Sequence, residues 1–185
     1  MEKAYKFRIY PNKEQQKTIQ KTFGCCRFVY NFYLAKRIEL YKEDKSSMKY
    51  NLCSADLKEL KKSLEWLKEV DSISLQSSLR DLENAYQNFF REIKKGNTDQ
   101  GFPKFRSKKN PHKSYKTKYT KGNIQVLDKK IKLPKLGLVK AKVSRRIDGK
   151  ILNATISQEP SGKYFVSICC TDVLKPQSIK TGTTV

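Results

Sequence analysis

The chain contains 185 residues, with 40 Lys or Arg against 18 Asp or Glu, which gives a formal net charge of +22 at pH 7. Hydrophobic residues make up 37% of the sequence and aromatic residues 11%, a composition typical of globular rather than disordered proteins. No segment approaches the ~20 apolar residues that a membrane-spanning helix needs, and the first residues lack the apolar core of a signal peptide. These features favour a cytoplasmic protein with no membrane partner, long enough for one large domain or two small ones.

Positive charge is concentrated in one part of the chain. Residues 101–150 hold 17 Lys or Arg and only two acids, Asp128 and Asp148, so most of the net charge falls there. Aromatic residues are interleaved with these bases, namely Phe102, Phe105, Tyr115 and Tyr119. Cations bind phosphates, and rings stack on bases or pack a loop onto its own domain. The segment therefore predicts a nucleic-acid surface; the alternative is a solvated basic loop without a ligand.

The cysteine and histidine content predicts neither a disulfide framework nor a metal site. The cysteines form an odd set without C-x-x-C spacing: Cys25, Cys26, Cys53, Cys169 and Cys170. We expect them to be buried, reduced thiols. The single histidine, His112, is expected in an exposed loop. One histidine offers few candidate groups for a histidine-based metal site or a Ser-His-Asp relay. No catalytic residue, metal ligand or cofactor is therefore predicted.

The first elements along the chain are a strand and a helix. Residues 4–10 alternate apolar and basic side chains, which is typical of a half-buried strand, and Pro11 ends it. Asn12 is expected to cap the following helix, with Gln15 at the position that completes a capping box. Gly24 interrupts the helical pattern, which then resumes. The sequence therefore predicts a helix, a glycine-containing break and a second helix, compatible with a helix-turn-helix.

Two further helices are predicted next. Ser54 is expected to cap a helix whose apolar stripe consists of Leu57, Leu60, Leu64 and Leu67. Another helix is predicted over residues 74–95, where apolar residues recur at 4-3-4-3-4 spacing, and Gly96 is expected to end it. These stripes indicate the core of a small helical bundle rather than a cofactor site.

Beyond the helices, a basic loop and a sheet are predicted. The helical period is lost over residues 97–123, and afterwards the pattern alternates with a period of two. Strands are predicted at residues 124–127, 131–133, 138–143, 151–158 and 164–170. Because a lone N-terminal strand is not stable by itself, we expect residues 1–10 to pair with this later sheet. The predicted fold class is α+β, a β-barrel-like platform with an inserted helical bundle.

Several stretches, taken in order, resemble one known family. They are residues 3–12 with Gln15, residues 26–31, residues 75–91, residues 101–107 with Ser114 and Tyr115, and residues 131–137, 149–155 and 162–164. In these stretches the sequence resembles the N-terminal part of the TnpB (OrfB) proteins of insertion sequences. Ordered matches over essentially the whole chain are more specific than any single motif.

The resemblance implies a family of RNA-guided DNA endonucleases, related to type V CRISPR effectors and long described as transposases. In that family a wedge-type β-barrel, interrupted by a helical recognition lobe, binds a guide RNA and reads a short target-adjacent DNA motif. A RuvC-like nuclease domain then supplies an Asp-Glu-Asp metal site and a zinc insert held by four cysteines. The present chain stops where the first nuclease strand is expected, and none of its acids matches the catalytic set.

The resemblance therefore implies a monomeric binding protein without catalytic activity, from a truncated reading frame or a degenerate element. Its expected partners are a guide RNA and double-stranded DNA. The implied division of the chain is a first barrel strand at residues 1–10, a helical lobe resembling a helix-turn-helix at 11–96, a basic loop at 97–123, the remaining barrel at 124–173 and a linker at 174–185.

Two sets of binding residues are expected. Phosphate contacts are assigned to basic side chains of the first strand and the basic segment: Lys6, Arg8, Lys104, Arg106, Lys108, Lys109, Lys116 and Lys118. The family's motif, carried over by position, assigns DNA-motif reading to Tyr50, Ser54, Gln76 and Thr120. Their side chains can bond base edges, and the Gln76 amide suits adenine. The alternatives are that Ser54 is only a helix N-cap and that Gln76 simply faces solvent.

Two other functions are possible alternatives on the sequence. A stand-alone DNA-binding regulator would use a helix-turn-helix around Gly24 as a dimer. Residues 25–33 are, however, largely apolar and aromatic, whereas a recognition helix presents basic and amide groups. An independent enzyme is disfavoured, because the sequence shows no paired carboxylates, no histidine cluster and no glycine-rich phosphate loop.

Overall fold

The part of the chain that the structure describes, residues 1–97, 99 and 101–172 of a computed structural model, contains a seven-stranded antiparallel sheet. The expected linker at 174–185 lies outside these residues. The strands are β1 (Lys3–Tyr10), β2 (Lys113–Lys118), β3 (Gln125–Val126), β4 (Lys130–Leu133), β5 (Gly137–Lys142), β6 (Lys150–Gln158) and β7 (Tyr164–Thr171). Their order across the sheet is β2-β6-β7-β1-β5-β4-β3.

The N-terminal strand lies in the middle of this sheet. It pairs antiparallel with β7 on one side and with β5 on the other, which confirms the predicted long-range pairing. The reason is its alternating pattern, because Tyr5, Phe7 and Ile9 are almost fully buried on the inner face. All three helices come between β1 and the other strands in the sequence.

The class is mixed α+β, as predicted, but the sheet is open. Its end strands, β2 and β3, are not hydrogen-bonded to each other within the described residues, so closure into a wedge-type barrel stays a prediction. The expectation of an unbroken loop over residues 97–123 is wrong, because β2 lies inside it and pairs with β6. Tyr115 and Thr117 alternate inward between outward lysines, a short period-two pattern hidden by its charge.

The first helix, α1 (Lys13–Asp44), is continuous over 32 residues. Its N-terminus has the predicted capping box between Asn12 and Gln15. The predicted break at Gly24 is wrong, since the helix passes through it. A helical glycine costs about 0.5–1 kcal/mol relative to alanine, and burial of the neighbouring Phe23 and Cys25 outweighs that cost.

The other helices are α2 (Tyr50–Ser63) and α3 (Ser72–Lys94), with a 3-10 turn at Glu65–Lys68 between them. Ser54 does not cap α2, because the helix starts one turn earlier. The α2 N-terminus is satisfied from α3 instead, where the Glu83 carboxylate accepts the Tyr50 N–H at 3.2 Å. The end of α3 is as predicted, with Gly96 in the left-handed region just beyond it.

The core lies between the inner face of the sheet and the helices. The rings of Phe23 on α1 and Tyr115 on β2 meet edge to face with centroids 5.7 Å apart. The Thr117 hydroxyl donates to the Asp71 carboxylate, which also caps α3, so β2 is tied to the start of that helix. Polar and apolar contacts together therefore fix the position of α3 against the edge of the sheet.

The cysteines behave as predicted for packed thiols. All five are free, and four of them are buried: Cys25, Cys26, Cys53 and Cys170. Burial raises the pKa of Cys25 and of Cys53 to about 11, so both thiols stay protonated near neutral pH. A protonated, buried thiol is a poor nucleophile, which is consistent with a structural role for these side chains.

Candidate nucleic-acid interface

One face of the sheet is lined with cations. The strand registers place outward-pointing basic residues from four strands on the same side. We call this set the sheet face; it consists of Lys6, Arg8, Lys116, Lys118, Lys130, Lys132, Lys140 and Lys142. The outward positions of the described strands carry no acidic residue. Four of the eight, on β4 and β5, were not among the residues assigned from sequence, although their alternation with apolar residues signals them.

The two basic residues predicted on β1 have different surroundings. Lys6 is paired with Glu159 at 2.9 Å, and its ammonium lies 4.5 Å from the centroid of the Phe165 ring. The Arg8 Nε atom is buried and finds no hydrogen-bond partner in the described part of the chain. Arg8 lies directly across from Lys142 in the register. Lys6 is thus partly neutralised, whereas Arg8 keeps donor capacity for an anion.

The basic loop between α3 and β2 is held down at Arg106. Its guanidinium pairs with Asp81 at 3.1 Å and lies 3.9 Å from the Tyr30 ring centroid. The amide side chain of Asn31 bonds both the N–H and the carbonyl of Arg106, at 2.8 and 2.9 Å. Burial raises the pKa of Tyr30 although Arg106 opposes it, so the ring remains neutral. The contacts of Arg106 within the protein make it an anchor of the loop.

The other predicted cations of this loop extend away from it. Lys104, Lys108 and Lys109 are exposed and form no ion pair among the described residues. Phe102 instead packs inward, edge to face against Tyr86 and Phe89 on α3. Arg106 and Phe102 therefore hold the loop against the helices, and its lysines face solvent.

A small pocket brings together residues that were expected to read a DNA motif. Tyr50 from the start of α2, Gln76 from the first turns of α3 and Lys118 from the end of β2 all line it. We call it the α2–α3 pocket. Ser54 is one helical turn beyond Tyr50, and Thr120 is exposed two residues after Lys118; neither lines the pocket. The structure thus joins two of the four assigned residues with a predicted phosphate-binding lysine.

Two further residues of the α2–α3 pocket were missed by sequence reasoning. The Arg80 guanidinium lies 3.6 Å from the Tyr50 ring centroid and covers that ring. The Ser77 hydroxyl oxygen is buried and has no hydrogen-bond partner within the described residues, although it lines the pocket. Arg80 follows Gln76 by four residues on the same helix face, a signal that was available in the sequence.

Three acids of the described residues, Asp71, Asp81 and Asp172, have contacts within the protein. Asp81 pairs with Arg106, Asp71 caps α3, and Asp172 pairs with Lys150 at 3.4 Å. In residues 1–97, 99 and 101–172, no group of three His, Cys, Asp or Glu side chains is placed to hold a metal ion. Over the same residues, no helix combines the length and the apolar character needed to cross a membrane. His112 is exposed, as predicted.

Comparison with known proteins identifies the family. Residues 1–46 match the helix-turn-helix domain model named for OrfB of IS605. The chain is 35% identical over 168 residues to the "Putative RNA-guided DNA endonuclease InsQ" of Escherichia coli K12, covering 89% of this chain and 39% of that protein. This chain belongs to the TnpB (OrfB) family.

Other relatives extend the comparison. A "Putative RNA-guided DNA endonuclease" of Streptomyces pristinaespiralis is 32% identical over 181 residues, covering 95% of this chain and 43% of the relative. The virulence protein VsdF of Salmonella dublin is 32% identical over 117 residues, which are 58% of this chain and 95% of VsdF. This TnpB-family chain thus spans about two fifths of the length of the two endonuclease relatives. Its helix-turn-helix match covers β1 and the continuous α1.

Proposed function

We propose that this TnpB-family chain binds nucleic acid through two surfaces. The α2–α3 pocket reads a short motif in duplex DNA, and the sheet face holds the backbone of a guide RNA. The observation that carries the proposal is the convergence of Tyr50, Gln76 and Lys118 from three separate elements in one pocket. In this proposal residues 11–96 act as the recognition lobe, and residues 1–10 with 124–173 act as the wedge-type platform.

The α2–α3 pocket has the chemistry for reading base edges. The Gln76 amide offers one donor and one acceptor side by side, which matches the major-groove edge of adenine. The unpartnered Ser77 hydroxyl supplies another donor or acceptor at the pocket wall. Arg80 and Lys118 can bind the flanking phosphates and so fix the register of the duplex. Lys118, at the end of β2, is the member of the sheet face that we assign to the duplex and not to the RNA. Ser54 and Thr120, which border the pocket in sequence, are proposed to contact the same duplex.

The sheet face has the chemistry for binding a backbone without reading its sequence. Its lysines stand two residues apart on neighbouring strands, and opposite pairs such as Lys130 and Lys140 place two ammonium groups side by side. Like charges at this spacing repel each other unless an anion lies between them. RNA backbone phosphates supply such anions and release counterions on binding. We include the loop lysines Lys104, Lys108 and Lys109 in this RNA-binding surface.

We further propose that the chain binds its target without cutting it. Two-metal cleavage needs several carboxylates converging on two divalent ions, and no group of three His, Cys, Asp or Glu side chains in the described residues is placed to hold a metal ion. Purified protein with Mg²⁺ and a selected duplex should retain the duplex intact. Metal-dependent nicking that disappears on replacing Asp71, Asp81 or Asp172 by Asn would overturn this part.

Selection from a randomised duplex library tests the reading function. The purified chain should enrich a short motif, and Gln76→Ala should relax the preference at one position by about tenfold, the discrimination expected of one bidentate contact. Asn88→Ala, on another face of α3, should leave the selected motif unchanged. Selection that enriches no motif, or a Gln76 variant with an unaltered motif, would contradict the proposal.

A second candidate is a dimeric helix-turn-helix regulator, favoured by the family match over residues 1–46. Since α1 has no turn at Gly24, the turn would then be residues 45–49 and the recognition helix α2, which begins just after the matched residues. Such dimers bind two half-sites about 34 Å apart. A selected motif that is palindromic, with two protein chains per duplex by light scattering, would favour the regulator; one chain on an asymmetric motif favours the first proposal.

A further inference from the structure

The surface of α3 beyond the α2–α3 pocket carries a continuous polar stripe. Gln76, Arg80, Glu83, Gln87 and Lys94 follow one another at intervals of three, four or seven residues and therefore lie on one side of the helix. The first two belong to the pocket already described. The last three line a second concavity, between α3 and the turn that connects α1 to α2. We call this second concavity the α3 groove.

The α3 groove is positively charged and open. Its exposed lining includes three cations, two neutral polar residues and one ring: Lys49, Arg91, Lys94, Ser47, Gln87 and Phe90. Lys49 and Lys94 form no ion pair among the described residues. The Phe90 side chain is 54% exposed, and its ring stacks on Tyr86 with centroids 6.2 Å apart. The groove thus combines free cations with an apolar platform.

The single acid of the groove is already neutralised. Glu83 pairs with Arg37 at 3.0 Å, and both side chains are nearly buried. The same carboxylate accepts the Tyr50 N–H, so it also fixes the residue that begins the α2–α3 pocket. This ion pair stands between the two concavities and joins their walls. Its charge is balanced, and Arg91 pairs with Glu92 at 3.5 Å, so the net positive charge of the groove comes from Lys49 and Lys94.

We propose that the α3 groove binds the backbone of the duplex DNA that continues beyond the motif read in the α2–α3 pocket. This inference rests on the proposed reading function. From Gln76 to Lys94 the helix rises about 27 Å, which matches roughly eight base pairs at 3.4 Å per step. Lys49 and Lys94 bind phosphates, Gln87 and Ser47 donate to phosphate oxygens, and Phe90 packs against deoxyribose. The groove therefore adds affinity and fixes the side on which the duplex continues, while the pocket supplies sequence specificity.

The salt dependence of duplex binding tests this inference. The probe is a fluorescein-labelled 30-base-pair duplex of fixed sequence, and the variant is Lys49→Ala with Lys94→Ala. Two lost phosphate contacts should lower the slope of log affinity against log salt by about 1.8 and weaken binding by about tenfold. The matched control, Lys42→Ala with Lys68→Ala, removes the same charge from exposed positions outside the groove. It should leave the salt slope unchanged and alter the affinity by less than twofold.

The outcomes separate this inference from the function on which it rests. If library selection finds a motif but the groove variant keeps the wild-type slope, the α3 groove assignment is wrong and the reading function stands. If the groove variant lowers the slope and its selected motif is unchanged, the inference is supported. If the groove variant loses affinity only for a structured RNA hairpin and binds the duplex normally, the groove is an RNA site and the proposal is overturned.

The side of the pocket on which the bound duplex extends provides a second measurement. Once the motif is known, duplexes of equal length with the motif at the left or right end should differ in affinity, because the groove extends from only one side of the pocket. The groove variant should remove most of this difference, whereas Lys42→Ala with Lys68→Ala should preserve it. Equal affinity for both placements in the unsubstituted protein would contradict a one-sided track.

Discussion

The sheet face and the α2–α3 pocket both present cations, but they are built in opposite ways. The sheet face repeats basic side chains over several strands, because residues two apart in a strand point to the same side and the register aligns them across the sheet. The pocket uses single residues from α2, α3 and β2, each different in chemistry. A repeated charge gives affinity without sequence information, whereas a set of unlike polar groups can discriminate bases.

The difference also concerns tolerance to change. Each basic residue of the sheet face contributes a phosphate contact of the same kind, so successive losses should lower affinity step by step. The pocket depends on the placement of three elements by the Thr117–Asp71 and Tyr50–Glu83 hydrogen bonds. We therefore expect affinity to decline gradually with substitutions on the sheet face, and specificity to be lost abruptly with substitutions in the pocket.

The largest expected effect tests the sheet face. Replacing Lys130, Lys132, Lys140 and Lys142 together by Ala should weaken binding of a structured RNA by about 100-fold at low salt and lower the salt slope by about 3, because four phosphate contacts are lost. Filter binding across a salt series measures both. A control with Lys17, Lys21, Lys42 and Lys68 replaced by Ala has the same net charge and should bind nearly normally. Equal losses of RNA affinity in both variants would show that the sheet face contributes only through the net charge of the protein.

The second prediction concerns the loop between the two surfaces. Asn31→Ala removes both hydrogen bonds that hold the Arg106 backbone, so the free energy of unfolding should fall by about 1–3 kcal/mol. Urea denaturation measures the loss, and hydrogen exchange should show residues 101–112 opening first. The exposed Asn88→Ala should change stability by less than about 0.5 kcal/mol. Unchanged exchange in this segment would show that the loop is held by other contacts.

A smaller effect is expected from an acid that competes with the ligand. Glu159→Gln frees Lys6 from its ion pair, so RNA binding at low salt should become about two- to fivefold tighter, the range that an exposed ion pair can account for. Glu65→Gln, which removes the same charge beside Lys68, is the matched control and should have no effect. Weaker binding by the Glu159 variant would show that the pair positions Lys6 instead of masking it.

The smallest effect concerns α1, which packs against the inner side of the sheet. Gly24 has open space where a side chain would begin, so Gly24→Ala should raise the free energy of unfolding by about 0.5–1 kcal/mol. Binding of DNA and of RNA should not change. Gly96→Ala provides the opposite control, because Gly96 has a φ of +77° and alanine should be strained there. Reduced binding by the Gly24 variant would indicate a ligand that approaches the α1 backbone.

The sequence alone determined the features that depend on local pattern. The alternation in β1 required a sheet partner, the Asn12–Gln15 capping box began α1, and the apolar spacing defined α3 and its end before Gly96. The concentration of lysine within residues 101–150 also indicated a nucleic-acid surface without any knowledge of the fold. These signals involve residues close together in the chain, where periodicity and capping act.

Only the tertiary structure decided features in which distant residues compete with local preference. Packing carried α1 through Gly24, and the Glu83 carboxylate, not Ser54, satisfied the start of α2. Pairing with β6 made a strand of the charged segment at Lys113–Lys118. The same contacts turned Arg106 towards Asp81 and Tyr30 and assembled the α2–α3 pocket. Burial and hydrogen bonds between distant residues outweigh local propensities of about 1 kcal/mol or less, and no local pattern records them.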